Sequence, residues 1–169
     1  MSDSFGLRYF ALVVALCLAH LLSPFAAQAQ TGISFGGAKQ DRKQPVTIDA
    51  DQLDVEQSGN KAVFTGNVIA IQGVLRLEAP FLQVDYDETS KAIALITATG
   101  GVKLENGVET ATSDHAVYDL KTGLIEMTGD VLLNQDTTTI AGPMLIIDVE
   151  KGTGLMQGRV KSVFSTVTK

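Results

Sequence analysis

A five-residue phrase that ends in Gly-x-Val recurs four times along this chain and constrains its fold more than any other feature. Its copies are FTGNV (64–68), ATGGV (98–102), MTGDV (127–131) and, in a weaker form, MQGRV (156–160). The glycines of successive copies, at 66, 100, 129 and 158, are 34, 29 and 29 residues apart. Internal repetition at about 30 residues is typical of stacked supersecondary units, each too small to bury its own apolar face.

A second phrase accompanies each glycine and completes the repeating unit. Its copies share a small residue, an apolar alternation and usually a closing Asp: ADQLDV (50–55), APFLQVD (79–85), SDHAVYD (113–119) and GPMLIID (142–148). Each unit is therefore predicted to be a strand, a turn, a strand bent at Gly-x-Val, and another turn.

The segments between the turns alternate apolar and polar residues, which is typical of β-strands with one buried face. Examples are VTIDADQLDV (46–55), VLRLEA (74–79), FLQVDY (81–86), GVKLEN (101–106) and VLLNQD (131–136). Turn signals separate such segments at 57–61, 105–107, 120–123 and 150–154, and no window shows a helical stripe. The sequence therefore predicts an all-β fold of short strands.

The repeated glycine could be catalytic, could bind a phosphate, or could form the corner of a structural unit. Glycine within a strand usually marks a bulge or corner where no Cβ is tolerated. A phosphate-binding loop needs glycines before a helix N-terminus, and no helix is predicted after any of the four. We interpret Gly-x-Val as a structural corner.

The first 29 residues have the features of a secretory signal peptide. Arg8 is followed by an apolar stretch at 9–22, a proline at 24 and the sequence AQA at 27–29, so cleavage is expected after Ala29. An uncleaved membrane anchor is the alternative, and a lipoprotein is disfavoured because Leu16 precedes Cys17 where a small residue is needed. Residues 30–44 are Gly-rich and polar and are interpreted as a flexible lead-in, with one domain at 45–165.

Removal of the signal peptide removes Asp3, Arg8 and the only cysteine, which leaves 12 basic and 18 acidic residues. A net charge of −6 argues against nucleic-acid binding, because binding a polyanion needs clustered Lys and Arg. An exported chain without cysteine must be held together by its core alone. Export and acidity together favour the periplasm.

The predicted mature chain offers little for catalysis or metal binding. His115 is its only histidine, so a multi-His metal site cannot form, and no cysteine ligand remains. Ser113, Asp114 and His115 supply the three residue types of a triad, but neighbours on a strand point to opposite faces. We expect a surface histidine, no metal, no cofactor and no enzyme activity. A hydrolase that pairs His115 with a distant acid is the alternative.

Apolar residues two positions apart share one face of a sheet and form the candidate lipid-binding site. They are Val46 and Ile48, Leu75 and Leu77, Leu82 and Val84, Val102 and Leu104, and Tyr118 and Leu120. Two interpretations are open: an ordinary closed sandwich core, or two sheets held slightly apart around an apolar groove that takes up lipid chains.

The sequence at 46–87, together with LIEMTGDVLL at 124–133, resembles the periplasmic lipopolysaccharide-transport bridge proteins of the organic-solvent-tolerance (OstA-like) family. The shared elements are DQLD at 51–54, the pattern G-N-x-x-x-F-T-G-N-V at 59–68, and the leucine and valine spacing within 75–84. The resemblance covers about residues 45–164 and is most specific in the first half.

This resemblance implies an open-ended, antiparallel β-jelly-roll that joins copies of itself and related domains head to tail. The continuous groove would carry lipopolysaccharide, held by its lipid A acyl chains, from an inner-membrane-anchored partner to an outer-membrane translocon. The family's lipid contacts correspond by position to Val46, Ile48, Tyr118 and Leu120, and the other six candidates come only from alternation. The alternatives are an inner-membrane-anchored relative of the same fold and a closed structural sandwich that carries no lipid.

Overall fold

The computed structural model describes residues 33–35, 43–56 and 59–165. Over these residues the chain forms eleven β-strands and no helix. None of the described residues therefore belongs to a helix that is long and apolar enough to cross a membrane. The predicted signal peptide, residues 1–29, lies outside the described residues.

The strands are all antiparallel to their neighbours, and those in the middle of the chain are long. They are, in chain order, β1 (Ile33–Ser34), β2 (Thr47–Asp49), β3 (Gln52–Val55), β4 (Lys61–Gln72), β5 (Leu75–Tyr86), β6 (Ile93–Glu105), β7 (Thr110–Asp119), β8 (Leu124–Gln135), β9 (Thr138–Asp148), β10 (Thr153–Gln157) and β11 (Lys161–Phe164).

Six long strands, β4 to β9, each pair with their sequence neighbours in a single meander. At the N-terminal edge of the sheet, β2 and β3 both pair with β4. At the C-terminal edge, β10 and β11 both pair with β9, and β1 pairs with β10. The sheet does not close on itself, which confirms the predicted all-β, open-ended β-jelly-roll of repeated strand-turn-strand units.

The pairing register shifts near the middle of each pair of long strands, and these shifts form a bend line across the sheet. They lie between Thr65 and Val68, Glu78 and Phe81, Thr99 and Val102, Thr112 and His115, and Thr128 and Val131. The repeated glycines of β4, β6 and β8 lie within them, so the interpretation as structural corners is confirmed. The expectation of short strands is wrong, because a bulge bends a strand without ending it.

The geometry at Gly66 shows why the corner requires glycine. Its φ is +80°, in the left-handed region that other residues seldom adopt. A Cβ there would lie 2.5 Å from Oδ2 of Asp51. The Asp51 N–H donates a hydrogen bond to the Gly66 carbonyl (3.0 Å), and Asn67 Nδ2 donates one to Asp51 Oδ2 (2.8 Å). The second phrase of the repeat therefore packs onto the glycine of the following strand.

The bend line divides the sheet into two layers. Layer A contains β2, β11 and the strand segments that end at the turns 73–74, 106–109 and 136–137. Layer B contains β1, β3, β10 and the segments that end at the turns 87–92, 120–123 and 149–152. The layers enclose one apolar core between them. The molecule is thus a sandwich made by folding a single sheet along its bend line.

Rows of apolar residues, paired from strand to strand, run across the inner face of each layer. In layer A the row is Ile48, Ala70, Leu77, Leu104, Ala111, Leu133 and Ile140. In layer B the row is Phe64, Leu82, Ala98, Ala116, Met127, Leu145 and Met156. Most of these side chains are buried. The inner face is therefore apolar from one edge of the sheet to the other.

The predicted lead-in, residues 30–44, contains a strand that the sequence did not indicate. Ile33–Ser34 pairs with β10, and Phe35 is 3% exposed within the core. A two-residue strand is too short to show alternation, which explains why no periodicity marked it. Residues 36–42 lie outside the described residues. The core thus includes a residue that precedes the predicted domain boundary at 45.

Candidate functional site

All ten candidate lipid-binding side chains lie in the core or pack against it. Seven are buried and three, nearer an edge or a turn, are partly buried. The buried ones are Leu75, Leu77, Leu82, Val84, Val102, Leu104 and Tyr118, and the partly buried ones are Val46, Ile48 and Leu120. The period-two pattern thus identified the inner face on both sides of the bend line, while contact with lipid stays a prediction.

Five of the ten line one apolar pocket between the layers, near the N-terminal edge. Val46, Leu75, Leu77, Leu104 and Tyr118 meet there with Ala70, Ile71, Gln72, Ile96 and Ile125. The pocket is small, with a volume of about 30 Å³. The other five candidates, Ile48, Leu82, Val84, Val102 and Leu120, do not line it.

One polar side chain is built into this pocket. Tyr118 Oη donates a hydrogen bond to Gln72 Oε1 (2.9 Å), and Gln72 Nε2 donates one to the Gln44 carbonyl (2.9 Å). Gln72 is 4% exposed, so protein partners satisfy its amide where water has little access. The bonds tie layer A, layer B and the segment before β2 together beside the pocket. Sequence reasoning missed Gln72 because a polar residue was not sought at an inward position.

Inward-facing apolar side chains are exposed at both edges of the sheet. Leu53 and Val55 of β3 pair with the inner-face residues Phe64 and Ala62, yet they are 53% and 62% exposed. At the other edge, Phe164 of β11 is 71% exposed. The apolar interior therefore reaches solvent at both ends of the row of strands.

The outer face of layer A carries a compact group of alternating charges. Arg76 pairs with Glu78 on β5 (2.8 Å), and Lys103 pairs with Glu105 on β6 (2.5 Å). Across the strands, Arg76 lies opposite Glu105 and Glu78 opposite Lys103. The hydrogen bond to Glu105 raises the pKa of Lys103. Opposite charges on facing positions favour this strand register and give the outer face a polar surface.

The arrangement around His115 does not form a triad. His115 is exposed on the outer face, as predicted, opposite Thr99 and Thr128. Ser113 is buried, and its hydroxyl donates a hydrogen bond to the His115 backbone carbonyl (2.8 Å), not to the imidazole. Among the residues that the structure describes, no three His, Cys, Asp or Glu side chains are grouped so that they could hold a metal ion.

Several buried inner-face residues were not selected from the sequence. They are Ile96, Ile125, Met127, Leu133, Leu145 and Ile147. The outward neighbours Leu132 and Ile146 are also apolar, so the alternation is blurred there. Only the pairing with clearly alternating strands identifies these positions as inward.

One known protein family matches this chain over most of the fold. The family model of the LptA/(LptD N-terminal domain) LPS transport protein matches residues 47–153. That range runs from β2 to the first residue of β10, and includes the whole bend line between β4 and β9. The chain belongs to this family. It is therefore an LptA-like member of a lipopolysaccharide-transport family.

Two bacterial relatives and a solved structure resemble this LptA-like chain over much of its length. An uncharacterised protein of Rhizobium meliloti (strain 1021) is 27% identical over 150 residues, which cover 84% of this chain and 81% of that protein. The lipopolysaccharide export system protein LptA of Escherichia coli (strain K12) is 30% identical over 109 residues, 60% of this chain and 58% of that protein.

The solved structure is that of LptH, described as the LptA homologous periplasmic component of the conserved lipopolysaccharide transport device from Pseudomonas aeruginosa. It matches with a TM-score of 0.66 and 17% identity, and covers 75% of this chain and 99% of that chain. At this identity the likeness concerns the fold, which agrees with the open bent sheet described above.

Proposed function

We propose that this LptA-like protein binds the acyl chains of lipopolysaccharide between its two layers and passes the lipid along a periplasmic bridge. Copies would join head to tail between an inner-membrane-anchored partner and an outer-membrane translocon. The main support for this proposal is the apolar inner face, which runs from edge to edge of the sheet and is exposed at both ends. Membership of a lipopolysaccharide-transport family supports the choice of lipid.

Hydrophobic burial provides the driving force for this binding. Transfer of each methylene from water to an apolar surface is favourable by about 0.8 kcal/mol, so long acyl chains need no specific polar contact. The existing pocket of about 30 Å³ is too small for such a chain. Binding therefore requires layers A and B to separate, and the partly buried Val46 and Ile48 make the N-terminal edge the natural place for entry.

The location and processing of the chain are part of the proposal. Residues 1–29 would act as a cleaved signal peptide, and residues 45–165 would carry the transport function without enzyme activity. The description of LptH as a periplasmic component supports the location. An inner-membrane-anchored form would retain residues 1–29, so N-terminal sequencing of protein extracted from cells distinguishes the two.

Photo-crosslinking in cells tests lipid binding directly. A photoreactive amino acid replaces Ile48, which packs against the core, and in a matched variant it replaces the exposed Asp49 next to it. We expect a lipopolysaccharide adduct at position 48 and none at position 49, because adjacent strand residues face opposite sides. Adducts at neither position, with folded and abundant protein, would contradict the proposal.

A closed sandwich that assembles without carrying lipid is the second candidate, and the small volume of the pocket favours it. Ile48→Asp separates the two functions. A charge at this partly buried edge position should stop lipid binding and transport because desolvating it is costly, while the fold stays intact. Lipid binding and transport at the wild-type level in this variant would show that lipid does not pass this edge, whereas no lipid bound to the unmutated protein would favour the closed sandwich.

A further inference from the structure

β1 covers the outer edge of β10 and closes the layer B side of the C-terminal end of the interior. Ile33 lies opposite Gly154, and the Phe35 N–H donates a hydrogen bond to the Gly152 carbonyl (3.0 Å). Phe35 is 3% exposed and fills the space over Gly154, where an added Cβ would lie 3.6 Å from Phe35 Cβ. Two apolar residues two positions apart, Ile33 and Phe35, thus cap the core at this edge.

A polar contact also ties β1 to layer A. The Gln135 side-chain amide donates a hydrogen bond to the Ser34 carbonyl. The same Nε2 lies 2.7 Å from Glu109 Oε1, and Asn106 Nδ2 donates to Glu109 Oε2 (2.5 Å). These contacts fix β1 across the gap between the layers. The C-terminal edge is therefore closed in layer B, whereas the outer edge of β11 in layer A carries no strand among the described residues.

The direction and side-chain pattern of β1 match those of β3. Both strands are antiparallel to the strand that they flank, and counting through the alternating directions of β4 to β10 shows that β1 and β3 run the same way. Ile33 lies in the cross-strand row that begins with Val55 at the opposite edge. A β3 strand from a second copy, stacked on β10 in the same orientation, would therefore occupy the place that β1 holds.

The charges of the two edges indicate that the incoming strand belongs to another copy of this chain. The N-terminal edge carries exposed acidic residues at 49, 51, 54 and 56, within and beside β2 and β3. The C-terminal edge carries exposed Arg159 and Lys161, and no acidic residue lies between Thr153 and Ser165. Apposing these edges brings opposite charges together, which steers association and disfavours contact between like edges.

From this geometry we infer that β1 is an exchangeable strap. It holds the outer edge of β10 in the free protein and gives way to β3 of the next copy, so that Val55 takes the place of Ile33 in its cross-strand row. The inference rests on the proposed head-to-tail bridge and adds that β1 competes with it. A covered edge is protected from indiscriminate strand pairing, and its release restricts joining to a partner that supplies a matching strand.

A reversible disulfide tests whether β1 must leave. Ser34 and Thr153 are direct cross-strand partners, both exposed, and the predicted mature chain has no cysteine. The separation of facing strand residues suits a disulfide in the strap variant, Ser34→Cys/Thr153→Cys. The matched control, Val117→Cys/Glu126→Cys, places the same crosslink between exposed partners of β7 and β8 in the middle of the sheet.

Self-association of both variants is measured by sedimentation velocity over a range of protein concentrations, with and without reductant. We expect the oxidised strap variant to lose self-association and to recover it on reduction, because a locked strap leaves no competent edge. The β7–β8 control should associate equally in both states. Self-association of the strap variant that is the same before and after reduction would overturn the strap while leaving head-to-tail joining possible.

A released strap provides the opposite test. Ile33→Ser/Phe35→Ser weakens the apolar cap and should release β1. If the released state is a minor state of the wild type, populated at about 0.1–10%, the variant should self-associate about 10- to 1,000-fold more tightly. The same pair of changes combined with Val55→Asp, which removes the incoming apolar residue, should abolish that gain. If neither the wild type nor the released variant associates at any concentration, both the strap and the head-to-tail bridge are wrong.

Discussion

At the scale of single residues, the repeat consists of two complementary halves. The second residue of each small-residue phrase packs onto the glycine of a Gly-x-Val phrase: Asp51 onto Gly66, Pro80 onto Gly100, Asp114 onto Gly129, and Pro143 onto Gly158. The four glycines all have positive φ, between 80° and 91°. Each corner thus requires both a left-handed backbone and an absent side chain.

The adjacent glycines at 100 and 101 separate these two requirements. Both have positive φ, +91° and +96°, but an added Cβ would meet Pro80 Cγ at 2.7 Å only at Gly100, and nothing within 4 Å at Gly101. We expect Gly101→Ala to cost about 1–2 kcal/mol through backbone strain. Gly100→Ala should cost about 1–3 kcal/mol more because of the steric overlap. Urea denaturation measures both, and equal losses would show that contact with Pro80 is unimportant.

At the scale of elements, aspartates organise the turns of layer B. Asp87 Oδ1 accepts hydrogen bonds from the Thr89 and Ser90 N–H groups, and Asp119 Oδ1 accepts them from Lys121 and Thr122. The closing Asp of the repeat phrase, at 119 and again at 148, therefore has a local structural role. A carboxylate can satisfy successive N–H groups of a tight turn without a further partner.

The turn at 149–152 makes part of the stability depend on pH. Asp148 accepts hydrogen bonds from Lys151 Nζ (2.6 Å) and the Lys151 N–H (2.9 Å), and the side-chain bond chiefly lowers the pKa of Asp148 below its ordinary value of 3.8. The unfolded chain then takes up the proton at a higher pH than the folded one. This contribution is complete above pH 3.8 and is lost as the pH falls through the lower, folded value.

Asp148→Asn should therefore lower the Tm at neutral pH by about 2–4 °C. The Tm of this variant should also fall less than that of the wild type when the pH is lowered from neutral to below 3.8, the ordinary pKa of aspartate. Asp130→Asn, a matched change at an exposed position outside the turns, should alter neither quantity measurably. Differential scanning calorimetry at the two pH values provides the measurement. An unchanged acid dependence in Asp148→Asn would rule out this role of the turn.

The elements also show what the sequence could and could not predict. Alternation identified the inner face correctly for pairs such as Leu77 and Leu82 on either side of a bend, because the period of two holds in each layer. It did not reveal the strand lengths, since a bulge resembles a strand end in sequence. It also missed β1, whose two residues carry no period, and the exposure of Leu53 and Val55, which depends on the position of β3 at an edge.

At the scale of the whole molecule, the two ends of the sheet differ in charge as well as in sequence. The acidic N-terminal edge and the basic C-terminal edge make contact between unlike ends favourable and contact between like ends unfavourable. Such a heterologous contact extends into a filament and does not close into a dimer. The proposed bridge therefore has a built-in direction.

Ionic strength should weaken this assembly. Raising the salt concentration from about 0.1 M to about 1 M shortens the electrostatic screening length from about 10 Å to about 3 Å, so attraction between the edges falls. Arg159→Gln/Lys161→Gln should associate less tightly at low salt and show little further salt dependence. Sedimentation equilibrium compares the two proteins, and an equal salt dependence in both would contradict the electrostatic contribution of these residues.

The single meander has a consequence for the length of the molecule. Among themselves, the strands β4 to β9 are hydrogen-bonded only between neighbours in sequence, and one repeat of 29 residues adds a pair of strands. Insertion or loss of one repeat would change the width of the sheet by about 10 Å, two strand spacings. The edge strands β2 and β3 would still pair with β4, and β10 and β11 would still pair with β9. The two surfaces that join neighbouring copies would therefore be unaffected. The length of such a domain can thus change in evolution by the gain or loss of whole hairpins, without any change in the edges that join it to its neighbours.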